Sequence, residues 1–81
     1  MRVVHTKNFG QSLAALPLEI RKKFDKQSEY LVKDLRHPSL RCKKYDETRG
    51  IWQGRVDKYF RFYFTIENGS YILLDITDHP E

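Results

Sequence analysis

Eighty-one residues with a net charge of +4, 40% of them hydrophobic and 32% charged, fit one domain spanning residues 1–81 around a modest core. The single cysteine, Cys42, cannot form an internal disulfide, the three histidines show no zinc spacing, and no apolar run approaches the roughly 20 residues that cross a bilayer. A cytoplasmic protein with no membrane partner is therefore expected.

The charge is unevenly placed. Residues 1–50 hold twelve basic and six acidic side chains, residues 51–81 three and five, so the amino-terminal part is the one that attracts a polyanion. In chain order, Arg2 to His5 reads as a short strand. Asn8 then offers a helix cap with Gln11 reaching back, and Phe9, Leu13 and Leu16 mark the apolar side of a brief helix. Pro17 suits the first turn of a second helix, with a body from Leu18 to Leu35. Its Ile20, Phe24, Leu31 and Leu35 share one face, with Arg21, Lys22, Lys26 and Lys33 turned outward. His37-Pro38 stops it. Strands are predicted over Leu40 to Tyr45, Ile51 to Val56, Phe60 to Glu67 and Ser70 to Thr77. Asp46 to Gly50 forms a turn between the first two, and Asn68-Gly69 is a type I′ hairpin signal between the last two.

Apolar alternation fixes the central hairpin's register. A three-residue loop, Asp57-Lys58-Tyr59, pairs Val56 with Phe60, Gly54 with Phe62 and Trp52 with Phe64 on the helix-facing side. The same count sets Arg55 against Arg61 and Gln53 against Tyr63 on the other. In the second hairpin the turn pairs Phe64 with Leu73 and Ile66 with Tyr71, but unbroken parity sets Asp75 beside Phe62. A bulge or strand end must intervene. Tyr71 to Ile76 is apolar on both faces and so belongs inside the sheet, with Arg2 to His5 as its companion. The expected fold is α+β, with two amino-terminal helices packed on one face of a small, mostly antiparallel, twisted sheet.

Two facing arginines repel one another, a penalty that a bound phosphate reverses, because guanidinium donors pair with phosphate oxygens. Ordinary ion pairing with Asp57, Asp75 or Glu67 is the alternative. Arg41, Lys43 and Tyr45 alternate along the preceding strand and extend the same polar face into a shallow basic track. Tyr45, Tyr59 and Tyr63 stack on RNA bases if exposed. His79 carries an imidazole suited to proton transfer, with Asp78 beside it, while His5 and His37 suit structural roles. No glycine-rich nucleotide loop, nucleophile elbow or carboxylate cluster for divalent ions is present. A cofactor-free reaction is the enzymatic class with residue support. RNA provides its own 2′-hydroxyl nucleophile, so a site need only orient the backbone, move a proton and stabilise phosphate charge.

The pattern Phe9-x-x-x-Leu13-x-x-Leu16-Pro17, then Ile51-Trp52-Gln53-Gly54-Arg55 and Tyr59-Phe60-Arg61-Phe62-Tyr63-Phe64, closing on Ile72 to His79, resembles the RelE/ParE toxin superfamily over nearly the whole chain. That resemblance implies the toxin component of a type II toxin-antitoxin system, bound by a cognate antitoxin, with a toxin-antitoxin heterotetramer as one assembly. RelE-like members cut messenger RNA on the ribosome, and ParE-like members poison DNA gyrase. By the resemblance Arg61 stabilises the scissile phosphate, Arg55 is a neighbouring basic site and His79 is the terminal acid or base. Arg41, Lys43, Tyr45, Gln53 and Tyr63 contact RNA. Gln53 stands where some RNA-cleaving relatives carry Lys or Glu, and an amide is not a base at neutral pH. Gyrase poisoning and a catalytically weak, antitoxin-binding regulator are the alternative readings.

Overall fold

The computed structural model describes residues 1–78. In chain order these form β1 (Arg2–His5), α1 (Lys7–Ala14), α2 (Leu18–Lys33), a 3₁₀ turn (Pro38–Leu40), β2 (Lys43–Asp46), β3 (Ile51–Arg55), β4 (Phe60–Glu67) and β5 (Ser70–Asp78). The strands pair in the order β1-β5-β4-β3-β2, with β1 parallel to β5 and every other pairing antiparallel. This is the expected α+β arrangement, and β5 lies inside the sheet with β1 as its companion. No helix among the described residues is long and apolar enough to cross a membrane.

The central hairpin has the expected register, with Trp52 opposite Phe64, Gln53 opposite Tyr63, Gly54 opposite Phe62 and Arg55 opposite Arg61. The three-residue loop is real: the Val56 amide donates to the Phe60 carbonyl at 3.0 Å. Asp57 locks it. Its Oδ1 accepts the amides of Tyr59 and Phe60, both at 2.8 Å, and its Oδ2 accepts the Lys23 ammonium of α2 at 3.0 Å. Glycine is required at 54 by close approach. A Cβ there would stand 2.6 Å from Cε1 and 3.0 Å from Cε2 of Phe62, a ring with no exposed surface and nowhere to move. Phe62 in turn packs edge-on against Phe24 of α2, and Phe9, Leu31, Leu40, Phe64 and Leu73 complete the fully buried set.

In the second hairpin the conflict over Asp75 is resolved by a bulge. Phe64 pairs with Leu73 as predicted, the register shifts between Tyr63 and Phe64, and Tyr63 then faces Asp75 while Phe62 faces Ile76. The extra residue, Leu74, restores apolar-in parity for Ile76 and turns Asp75 to the open face. Asn68 and Gly69 both hold positive φ, 49° and 75°, as a type I′ turn demands.

Five local expectations need correction. The first helix is capped by Thr6, whose Oγ1 accepts the Phe9 amide at 3.1 Å, rather than by Asn8 with Gln11. Asn8 is drawn away because its amide donates to the Leu74 carbonyl at 2.8 Å, satisfying β5 where β1 has ended. Pro17 is the residue before α2 rather than part of its first turn, and α2 stops at Lys33, two residues short of Leu35, because Asp34 is extended and its Oδ1 accepts the Arg36 amide at 2.9 Å. Arg21 is half-buried rather than turned outward, its Nε donating to the Leu16 carbonyl at 3.1 Å. Leu40 is not in a strand: Pro38 opens a 3₁₀ turn, His37 Nδ1 accepts the Ser39 amide, and Arg41 sits left-handed at φ 46°, so β2 begins only at Lys43.

Two outcomes test this packing. Gly54→Ala is expected to lower the unfolding free energy by about 1–3 kcal/mol through overpacking against Phe62, read as a lower denaturant midpoint with an unchanged slope. Burial pushes the Asp57 carboxyl up, but the Lys23 ammonium and the amides of Tyr59 and Phe60 outweigh it and hold the group below its ordinary 3.8. Its stabilisation is therefore full above pH 3.8 and lost as pH falls through the lower folded value. Asp57→Ala is expected to cost about 1–2 kcal/mol at neutral pH, with the gap to the unaltered chain closing below pH 3.8 in acid unfolding curves.

Candidate functional site

Period-two geometry and the two hairpin registers align side chains in rows on the sheet face opposite Gly54 and Phe62. One row runs Arg55, Arg61, Thr77 across β3, β4 and β5; the next runs Lys43, Gln53, Tyr63, Asp75 across β2 to β5. Adjacent rows lie two residues apart along each strand, roughly 7 Å. Arg41, Lys43, Gln53, Arg55 and Arg61 line one opening of about 260 Å³ on this face.

No carboxylate among the described residues forms an ion pair with a cation of that opening. Among the described residues the ion pairs are Lys23 with Asp57 and Arg49 with Asp46, so the alternative of Arg55 or Arg61 paired to Asp57, Asp75 or Glu67 is not met. Asp75 instead accepts Ser12 Oγ at 2.7 Å and the Ile76 amide at 2.9 Å.

Arg61 is more enclosed than a residue on a wet strand face, only 8% exposed. Its Nη1 donates to the carbonyls of Asp57 at 2.7 Å, Phe60 at 3.0 Å and Lys58 at 3.4 Å, all in or beside the β3–β4 loop. Those dipoles offset its repulsion from Arg55 and fix the plane of the guanidinium, leaving Nε and Nη2 as donors that no described residue engages. Gln53 is 5% exposed and stands in the second row, its Nε2 donating to Tyr63 Oη of the same row at 3.2 Å.

Arg41 joins the cluster by another route than the one expected. It is not in strand alternation with Lys43 and Tyr45; its left-handed backbone after the 3₁₀ turn sets it at the rim. Tyr45 falls where the β2–β3 register shifts, between Lys44 and Asp46, and its exposed ring meets Tyr63 edge-on at 4.9 Å. Tyr59 is exposed in the β3–β4 loop and does not line the opening. His5 packs edge-on against Phe9, and His37 stacks on Tyr30 with centroids 3.8 Å apart. Burial pushes the Cys42 thiol up to about 11, which keeps it neutral at pH 7. Among the described residues no three His, Cys, Asp or Glu side chains gather as metal ligands. His79 lies outside the described residues; the strand that leads to it is described as far as Asp78, which pairs with Phe60 beside the Arg61–Thr77 pair.

One organising residue escaped the sequence reading. Gln27, 7% exposed on α2, donates from Nε2 to the carbonyls of Arg55 at 2.7 Å and Ser39 at 3.0 Å, and its Oε1 accepts Ser39 Oγ at 3.1 Å. It ties α2, the 3₁₀ turn before Arg41 and the end of β3 to one point. The signal is a lone amide on the apolar stripe of Ile20, Phe24 and Leu31, where a buried polar group must have partners.

No protein-family model and no curated protein matches the chain. Solved structures do. A YoeB/ParE toxin from Agrobacterium tumefaciens superposes with a TM-score of 0.80 at 12% identity, covering 99% of this chain and 100% of that one. RelE in an archaeal RelE-RelB complex from Pyrococcus horikoshii OT3 gives 0.78 at 16% identity over 95% and 92% of the two chains. A YoeB dimer from Staphylococcus aureus gives 0.80 at 9% identity over 99% and 98%. With its sheet order, its two helices and nearly full-length superposition on these proteins, the chain has the fold of the RelE/ParE toxin superfamily.

Proposed function

We propose that this chain is the toxin of a toxin-antitoxin pair and cuts ribosome-bound messenger RNA without a metal or cofactor. The observation that carries the reading is the opening lined by Arg41, Lys43, Arg55 and Arg61, with no described carboxylate in ion-pair reach of either facing arginine. The loop carbonyls offset the repulsion at Arg61 but leave the positive charge of the cluster without a described counter-charge, which a phosphodiester would supply. Structures of the same fold are those of RelE-RelB complexes from Pyrococcus horikoshii and Methanococcus jannaschii and of a YoeB-YefM heterotetramer from Staphylococcus aureus, which supports a protein antitoxin as partner.

In this mechanism the 2′-oxygen of one nucleotide attacks its own 3′-phosphorus as its proton is removed. The bond from phosphorus to the 5′-oxygen of the next nucleotide breaks, and that oxygen takes up a proton. A 2′,3′-cyclic phosphate and a 5′-hydroxyl result. Arg61 stabilises the charge on the pentavalent phosphorus; its plane is set by the loop carbonyls before substrate arrives, so little reorganisation is needed at reaction. Arg55 holds the backbone, Arg41 and Lys43 take flanking phosphates, and Tyr45 and Tyr63 contact bases. Gln53 serves by hydrogen bonding rather than as a base. Proton transfer is assigned to His79.

The test is a reconstituted translation reaction in which new messenger ends are mapped. The unaltered chain is expected to give 5′-hydroxyl ends. Arg55→Ala, Arg61→Lys and His79→Ala are each expected to reduce cutting by about 10²-fold, the usual effect of losing one charge-stabilising or proton-transfer group. Gyrase-dependent DNA breaks without messenger ends, or antitoxin binding with translation untouched, overturn the reading.

A further inference from the structure

Beside the cationic opening lies a second one of about 350 Å³ with different chemistry, lined by Tyr45, Ile51, Tyr63, Leu74, Asp75 and Thr77. The two share a wall: Gln53 of the first donates to Tyr63 of the second, and Arg61 of the first is paired across strands with Thr77 of the second. Moving from the arginine row to the Tyr63–Asp75 row is a step of roughly 7 Å along the strands. A chain of nucleotides anchored by phosphate at the arginines thus meets an aromatic and apolar recess containing one carboxylate.

That carboxylate is built to accept. The β5 bulge turns Asp75 to this face opposite Tyr63. Its Oδ1 already accepts Ser12 Oγ and the Ile76 amide, which fixes the rotamer and uses the lone pairs of that oxygen. Its Oδ2 receives no hydrogen bond from a described residue and faces no described cation within ion-pair reach. A lone acceptor of negative charge repels phosphate and attracts N–H donors. Tyr45, 58% exposed at the sheet edge and in T-shaped contact with Tyr63, supplies an exposed ring for stacking, and Tyr63 and Leu74 bound the recess.

We infer that this recess is a nucleobase subsite in which Asp75 Oδ2 accepts the exocyclic amino group of guanine, adenine or cytosine and selects against uracil. The inference rests on the RNA reading above and gives it a base preference. Uracil has no amino group, and its one ring N–H is flanked by two carbonyl oxygens that a carboxylate repels.

The test uses 2′-O-methyl RNA tetranucleotides, which lack the attacking hydroxyl and cannot be cut, in two matched pairs differing by one amino group at an internal base: guanosine against inosine, and cytidine against uridine. Binding to the full chain is followed by fluorescence anisotropy. The amino-bearing member of each pair is expected to bind about fivefold or more tightly, the lower end of direct base discrimination. Asp75→Asn keeps an oxygen for Ser12 and Ile76 but puts an amide donor at the Oδ2 position, and is expected to erase or reverse both preferences while inosine affinity stays within about twofold. Tyr45→Ala is expected to weaken all four oligomers alike. If Asp75→Asn does not fold, the guanosine-inosine comparison on the unaltered chain still decides. Equal binding within both pairs, with Arg55→Ala still weakening each, overturns the base subsite and leaves the RNA reading standing. No binding of any oligomer overturns the subsite, and the messenger-end assay then decides the parent reading by itself.

Discussion

The three-residue loop between Val56 and Phe60 is the constraint from which the functional face follows. Its length sets the parity of the β3–β4 pairing, and parity decides which side chains meet the helices. One residue fewer would turn Phe62 and Phe64 to the open face with Arg55 and Gln53 and bring Arg61 to the helix side with Gly54. Asp57 holds the loop through two backbone amides and reaches α2 through Lys23, so a single carboxylate links hairpin register to helix placement. Arg61 closes the circle by donating to the carbonyls of the same loop. The cost of facing guanidiniums, a fraction of a kcal/mol for like charges on paired strands, is thereby met within the element that creates it.

The second hairpin has a different logic. The Asn68-Gly69 turn starts a register that, carried through unbroken, would bury Asp75 next to Phe62. Burying an unpaired carboxylate costs several kcal/mol, whereas a one-residue bulge costs little more than a lost ladder bond. The bulge therefore wins. Its consequence is chemical as well as structural: an acid that strict alternation would have hidden emerges on the open face, where Ser12 from α1 fixes its orientation. Position 12 is far from β5 in sequence, but it is brought there because α1 runs beside β5 once β1 has ended, with Thr6 and Asn8 satisfying the Leu73 and Leu74 carbonyls.

The hairpin registers, the α+β architecture and the need for a bulge were legible because they depend on period-two alternation and two turn types, both local properties of the chain. What was not legible depended on partners supplied from elsewhere. Asn8 is as good a cap as Thr6 by residue type; only a vacant β5 carbonyl decides between them. Arg41 reads as a strand residue, and its left-handed turn follows from a 3₁₀ start at Pro38 that His37 caps with a ring nitrogen. That Arg55 and Arg61 share a face was readable; that Arg61 is almost enclosed was not, since the enclosure comes from carbonyls of a loop whose conformation the residue types leave open.

Net charge was the poorest guide of all, and the reason is geometric. The amino-terminal fifty residues hold most of the positive excess, yet Lys22, Lys26 and Lys33 belong to α2, which packs on the face opposite the opening. The opening draws Arg41 and Lys43 from that part but Arg55 and Arg61 from the part whose acids outnumber its bases. The long-range field set by net charge and the local cluster of guanidiniums on one sheet face are thus supplied by different residues. The first depends on totals and is screened by salt. The second depends on which strand positions a loop of three residues and a bulge of one bring into the same row, and on setting Asp75 in the row of Tyr63 rather than in that of the arginines.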